Sequence, residues 1–153
     1  MKKVYTKRRD NTRINNAAVK IADLPGEVWK NVKGYEGLYL VSNLQRIKKL
    51  SYLSAHGRFK KEKLIKVSTK KKYPAIALYQ NGLKKYRLFH RIVCEAFHEN
   101  LKNKPEVNHK TGWKNGHTSD NLEWATKSEN VKHAFKNGFI VSNFKKKKIC
   151  FPS

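Results

Sequence analysis

An α+β fold is the class this sequence predicts: a small antiparallel β region in the N-terminal half, then a compact strand–strand–helix unit. Three observations carry that expectation. Short apolar runs broken by Gly- and Asn-containing turns fill residues 24–89. Apolar residues at helical spacing first appear over 90–97. A strand, a polar loop, a second strand and a capped helix then follow in order over 106–137.

The elements are justified one by one. Leu24-Pro25-Gly26 punctuates the entry, and Val28–Val32 reads as a short strand. Gly34 and Gly37 bracket a turn, Leu38–Ser42 is a second strand and Arg46–Leu50 a third. The stretch 58–72 is rich in lysine, but Leu64, Ile65 and Val67 interleave it, so it is not a uniform charge block. Runs over 73–79 and 84–89 flank Asn81-Gly82, a strong short-range hairpin signal. Ile92, Val93, Ala96 and Phe97 fall on one side of a helix, with Cys94 among them as a buried, inert thiol. Pro105 precedes a strand ending near His109, and Asn121–Ala125 is another strand. Thr126 and Glu129 make a capping box for a helix that stops at Gly138, with Val131, Ala134 and Phe135 as its apolar side.

Charge sets the class of partner. The chain has 153 residues with 35 Lys+Arg against 11 Asp+Glu, a net charge of +24. Such a surplus points to a polyanion, nucleic acid before an anionic membrane surface. There is room for one domain or two very small ones, and 39% hydrophobic residues suffice for a small core. No apolar run of about 18 residues exists, and no apolar stretch follows the basic N-terminus, so neither a membrane span nor a secretory signal is expected. Two distant cysteines, Cys94 and Cys150, exclude a disulfide framework. A cytoplasmic location follows.

The stretch Val107-Asn108-His109-Lys110-Thr111-Gly112, then Asp120-Asn121-Leu122-Glu123-Trp124-Ala125-Thr126, then Ser128-Glu129-Asn130 resembles the HNH endonuclease family of phage and intron homing enzymes. That resemblance covers about residues 88–135 and implies a ββα-metal (His-Me finger) nuclease core. Upstream, Trp29 and Gly34-Tyr35-Glu36-Gly37-Leu38-Tyr39-Leu40-Val41-Ser42-Asn43-Leu44 resemble the modular DNA-binding motif that often precedes such a core. Gln45 departs from it, since the motif usually has Gly before Arg46. The expected organisation is a flexible basic arm over 1–23, a β-rich nuclease-associated DNA-binding region over 24–87, the nuclease finger over 88–138 and a basic tail over 139–153. Similar proteins often carry a further C-terminal helix-turn-helix, which is expected to be absent here.

The resemblance assigns roles by position. His109 is the general base, because a neutral imidazole accepts a proton near neutral pH. Asn108 and Asn130 hold one divalent ion per active site, Mg²⁺ or Mn²⁺, through side-chain carbonyl oxygens suited to a hard cation. Asn121 offers its carbonyl to the other nitrogen of the His109 ring. Related enzymes often have Asp where Asn108 stands. Two neutral amides imply weak binding of the ion, with a dependence on the order of millimolar and DNA phosphate completing the site. His117, in the polar loop, and His133, one turn after Asn130, are possible extra ligands or phosphate contacts.

Arg46, Lys48, Lys49, Lys63, Lys66, Lys84, Lys85 and Arg87 are the candidate DNA contacts, directed mainly at phosphate. The partner is double-stranded DNA. Neither a membrane nor an obligate protein partner is expected, and the protein is expected to be monomeric, in the bacterial host cytoplasm if phage-encoded. One finger per chain predicts a nick in one strand, leaving a 5′-phosphate and a 3′-hydroxyl as in the family. Two other readings stand beside this one. The first is a catalytically weak or inactive DNA-binding protein of the same fold. The second is an RNA-binding protein, favoured by charge alone. Trp29, Tyr35, Tyr39 and Trp124 are read as packing residues, with Trp124 wedged between the finger and its helix.

Overall fold

The computed structural model describes residues 20–54, 56–68 and 70–139. The expected arm over 1–23 and the tail over 139–153 therefore lie largely outside the described residues. No helix among the described residues is long and apolar enough to cross a membrane.

Strands β1 (Trp29–Asn31), β2 (Tyr39–Ser42) and β3 (Ile47–Lys49) form an antiparallel meander, as their spacing predicts. Two further short strands, β4 (Tyr52–Leu53) and β5 (Phe59–Lys60), pair as a small hairpin. The chain then returns as β6 (Lys63–Ile65), which lies against β3 and completes a sheet of order β1-β2-β3-β6. Sequence patterning did not disclose these last three strands. Val41 faces Ile47 across the ladder, and both are fully buried with Tyr39.

Strands β7 (Ala75–Gln80) and β8 (Leu83–Leu88) form the hairpin expected at Asn81-Gly82. Asn81 has φ of 50° and Gly82 of 75°, the doubly left-handed turn that matches strand twist. The hairpin is moored to the meander through one hydroxyl: Tyr79 donates its backbone N–H to Tyr39 Oη at 3.0 Å. Ile76 and Leu78 point inward, while β8 leaves most of its side chains exposed.

Helix α1 (Phe89–Phe97) follows directly and buries Phe89, His90, Ile92, Val93 and Cys94. Burial pushes the Cys94 thiol up to about 12, so it is inert as a nucleophile. Phe89, Ile92, Val93 and Cys94 join Val32, Tyr39, Val41 and Ile47 of the meander, Leu78 of the hairpin, and Val107 and Leu122 further on in one buried cluster. That cluster draws members from both sides of residues 87 and 88.

The C-terminal unit is a ββα finger. Strands β9 (Glu106–His109) and β10 (Leu122–Ala125) pair antiparallel, with Asn108 opposite Glu123 and His109 opposite Leu122. Asn121, expected in the strand, instead ends a short 3₁₀ turn over Ser119–Asn121. Helix α2 (Lys127–Lys136) begins on the capping box: Glu129 N–H donates to Thr126 Oγ1 at 3.2 Å, and Thr126 N–H donates to Glu129 Oε2 at 2.7 Å. Gly138, at φ 67°, follows its end. The apolar side expected for α2 is not buried. No residue of the helix is, and Phe135 remains 48% exposed. Trp124 is anchored to the end of α1 instead of α2. Its Nε1–H donates to the His98 carbonyl at 3.0 Å, and the Arg91 guanidinium lies 5.6 Å from its ring.

Candidate active site

Asn108, His109 and Asn130 line one cleft of ≈ 560 Å³ between the end of β9, the loop after it and the face of α2. His133 lines it too, and Lys72 and Tyr73 close it from the segment before β7. The strand end delivers Asn108 and His109, and the capped helix delivers Asn130 and His133 one turn apart.

The two carboxamides are held in the same way. Asn108 Nδ2 donates to Glu123 Oε1 at 2.8 Å, across the β9–β10 ladder. Asn130 Nδ2 donates to Glu106 Oε2 at 2.7 Å, reaching from α2 back to β9. A carboxylate only accepts, so each amide must present its nitrogen to the glutamate and keep its oxygen for another partner. Glu106 and Glu123 were not singled out from sequence. Position gives one signal: Glu106 precedes Asn108 by two residues on a strand and so shares its face. They also alter the charge argument. The two amide oxygens are neutral, yet a carboxylate stands behind each amide.

His109 is buried beside two other imidazoles. Its Nε2 lies 2.8 Å from His117 Nδ1, and its ring centroid is 5.5 Å from that of His90. Burial first, then the neighbouring His117 and Lys72, pull the His109 imidazole down to about 4, so the ring is neutral at pH 7. Burial also lowers His117, and it takes His90 to about 3 with the other two imidazoles adding to the effect. His90 Nδ1 has no hydrogen-bond partner, which favours the uncharged ring. His117, expected at a phosphate, is only 3% exposed and meets His109 instead. His133 Nε2 lies 3.0 Å from the Lys110 carbonyl, as an exposed contact at the cleft edge.

Asn121 does not hold the His109 ring. Its carbonyl oxygen accepts from Thr111 N–H at 2.9 Å and from Thr111 Oγ1 at 2.7 Å. Its Nδ2 donates to the carbonyls of Gly112 at 3.1 Å and Gly116 at 2.8 Å. The side chain is a staple across the 111–116 loop. Its bearing on His109 passes through the loop that carries His117.

The basic residues divide into two groups. Arg46 Nη1 pairs with Glu27 Oε2 at 2.9 Å, and Nη2 donates to the Ala22 carbonyl at 3.2 Å. Lys48 is 2% exposed, paired with Glu62 at 3.0 Å and 4.2 Å above the Trp29 ring. Arg87 pairs with Glu95 and donates to the Lys33 carbonyl. These three, expected on phosphate, are committed to the scaffold: each found an acid that sequence separation concealed. Lys49 lies 4.0 Å above the Tyr52 ring, while Lys63, Lys66, Lys84 and Lys85 are exposed.

The donor set suits a hard divalent ion. Asn108 and Asn130 each have an amide oxygen to offer, and two carboxylates lie close behind. Among the described residues, no cluster of three or more His, Cys, Asp or Glu is arranged to hold a metal.

A meander leading into a ββα finger with Asn-His on its first strand defines a class, and comparison with known proteins agrees. The chain is similar in sequence and in structure to HNH homing endonucleases. Residues 27–79 match the NUMOD4 motif. DNA endonuclease I-HmuI of Bacillus phage SP01 is 34% identical over 116 residues, covering 73% of this chain and 60% of that one. An uncharacterized HNH endonuclease of Acanthamoeba polyphaga mimivirus is 34% identical over 119 residues, 78% of this chain and 33% of its own. The solved structure of I-HmuI, titled as DNA binding and cleavage by an HNH homing endonuclease, superposes with a TM-score of 0.59 at 32% identity. That match covers 74% of this chain and 61% of the other. The chain thus spans about three fifths of the phage relative's length.

Proposed function

We infer that the protein is a divalent-metal-dependent endonuclease that nicks double-stranded DNA. The observation that carries this reading is the convergence of Asn108, His109 and Asn130 on one cleft from two separate elements. His109 takes the proton of the attacking water; its buried ring is neutral, and the phosphates of bound DNA raise its basicity. Asn108 and Asn130 hold the ion, Mg²⁺ or Mn²⁺, with Glu123 and Glu106 fixing their amides. The bound ion supplies Lewis-acid stabilisation of the charge developing on the phosphate and the leaving 3′-oxygen. Lys72, at the mouth of the cleft, and the exposed Lys63, Lys66, Lys84 and Lys85 receive the DNA backbone. One finger acts on one strand, with the protein bound as a monomer.

The test is a comparison on supercoiled plasmid in Mg²⁺ or Mn²⁺. The parent chain is expected to produce open circles with 5′-phosphate and 3′-hydroxyl ends. His109→Ala is expected to leave the plasmid intact while still binding it. Intact plasmid with the parent, across several DNA sequences and both ions, would overturn the enzyme reading and leave a DNA-binding protein of this fold.

A further inference from the structure

We propose that Gln45, in the turn between β2 and β3, is a positioning residue for His109, acting through His117. It sits where the motif this chain resembles usually has glycine, and its backbone explains why. Gln45 has φ of 53°, the left-handed region that glycine occupies without strain and other residues rarely adopt. A strained non-glycine residue invites the question of what its side chain does.

The side chain crosses from the meander to the finger. Gln45 Oε1 accepts the backbone N–H of His117 at 3.0 Å. Its amide lies so close over Gly116 that a Cβ there would stand 3.0 Å from both Oε1 and Nε2. The same turn grips the loop a second time, since Ser119 N–H donates to the Asn43 carbonyl at 2.9 Å. From the other side, Asn121 Nδ2 holds the Gly116 carbonyl. The backbone of His117 is thereby fixed from two directions, and its Nδ1 meets His109 Nε2 at 2.8 Å.

The consequence concerns which nitrogen of His109 is free. If His117 Nδ1 carries a proton and donates it, His109 holds its own proton at Nδ1 and has no lone pair for water. If His109 Nε2–H donates to His117 Nδ1, the lone pair is left at His109 Nδ1. Only the second arrangement serves a base, and it requires His117 Nδ1 to stay aligned as an acceptor. Gln45 supplies that alignment from the DNA-binding motif, so the motif sets the geometry of the base as well as docking the substrate.

The turnover part of the test rests on the nuclease reading above; a second measurement does not. In single-turnover nicking by the full chain, Gln45→Gly removes both the strain and the side-chain acceptor. Its rate constant is expected to fall roughly 10- to 100-fold, the scale of a misplaced reacting group. DNA affinity should be unchanged, and the thermal midpoint unchanged or raised. Gln45→Glu keeps an acceptor oxygen and should recover most of the rate. Parent-like nicking by Gln45→Gly, no recovery by Gln45→Glu, or a loss confined to DNA affinity would overturn the proposal. Ring ¹⁵N spectra at fixed pH give the independent readout: His109 as the Nε2–H tautomer in the parent, and a tautomer mixture in Gln45→Gly. If the parent does not nick at all, the nuclease reading fails and these spectra alone decide. Identical His109 spectra in the two proteins would overturn the positioning role.

Discussion

The meander and the finger solve opposite packing problems. In the meander, apolar side chains are inside, and its buried Lys48 and half-buried Arg46 are neutralised by acids distant in sequence. Val41 and Ile47 are fully buried, and Arg46 and Lys48 are paired with Glu27 and Glu62. In the finger, polar side chains are inside: Asn108, His109, His117 and Asn121 are buried, while Val131 and Phe135 on α2 stay exposed. The meander is held chiefly by apolar burial, whereas the finger adds to the buried Val107, Leu122 and Ala125 a set of specific hydrogen bonds among buried polar side chains. The lesson is that this candidate site is organised by polar connections, two of which end on the turn between β2 and β3.

The largest expected effect lies in the finger. His109→Ala should reduce nicking by about 10²–10⁴-fold, the usual contribution of a general base, while circular dichroism and DNA affinity hold. Asn121→Ala should be the next break. It removes four hydrogen bonds to Thr111, Gly112 and Gly116, and two half-buried carbonyls each lose a donor. Nicking should fall with a stability loss of about 2–4 kcal/mol, measured by urea titration.

In the meander, one ion pair carries the comparable test. Lys48→Ala strands Glu62 beside the sheet and should cost about 3–5 kcal/mol in the same titration, as loss of one partner of a buried pair does. If Lys48 were a phosphate contact instead, the variant would keep its stability and lose DNA affinity. The exposed lysines should show themselves through salt. Contact with six to ten phosphates predicts about a 10³–10⁵-fold fall in affinity between 50 and 200 mM salt. A flat response would contradict docking through Lys63, Lys66, Lys84 and Lys85.

The buried imidazoles give the finger and α1 a pH dependence near neutrality. His90 is held near 3 in the folded chain, against about 6.5 when unfolded. Its neutral burial is fully favourable above pH 6.5 and becomes progressively costly as pH falls toward 3, because the unfolded chain takes the proton first. His109 and His117 act in the same direction. Stability should therefore drop between pH 6.5 and 4, and His90→Leu should make that slope shallower. An unchanged slope would remove His90 from the account. The smallest effect belongs to the helix cap: Thr126→Ala should cost about 1 kcal/mol, readable as a small downward shift in thermal midpoint.

Local chemistry was legible in the sequence, and long-range pairing was not. Asn81-Gly82 disclosed its hairpin and Thr126 with Glu129 its helix start, because each signal is complete within a few residues. Strand β6 escaped notice because Lys63-Leu64-Ile65 has no alternation to read, and what makes it a strand is the edge of β3. Arg46, Lys48 and Arg87 looked free because nothing local marks Glu27, Glu62 or Glu95 as their partners. Asn108, His109 and Asn130 were found through family resemblance and do line one cleft. The partners that orient them, Glu106, Glu123 and His117, depend on cross-strand register and loop path. Val131, Ala134 and Phe135 carried the period of a buried helix face without the burial, since α2 is fixed by its cap and by Asn130 more than by packing.

The central claim is that two carboxamides on different elements hold one ion for the imidazole between them. Single-turnover nicking by Asn108→Ala, Asn130→Ala and the double variant, at saturating DNA and fixed Mg²⁺, tests it most directly. If both amides serve the same ion, each single variant loses most of the rate and the double variant is scarcely worse than either. Losses that multiply in the double variant, or a single variant that cuts like the parent, would contradict a shared site.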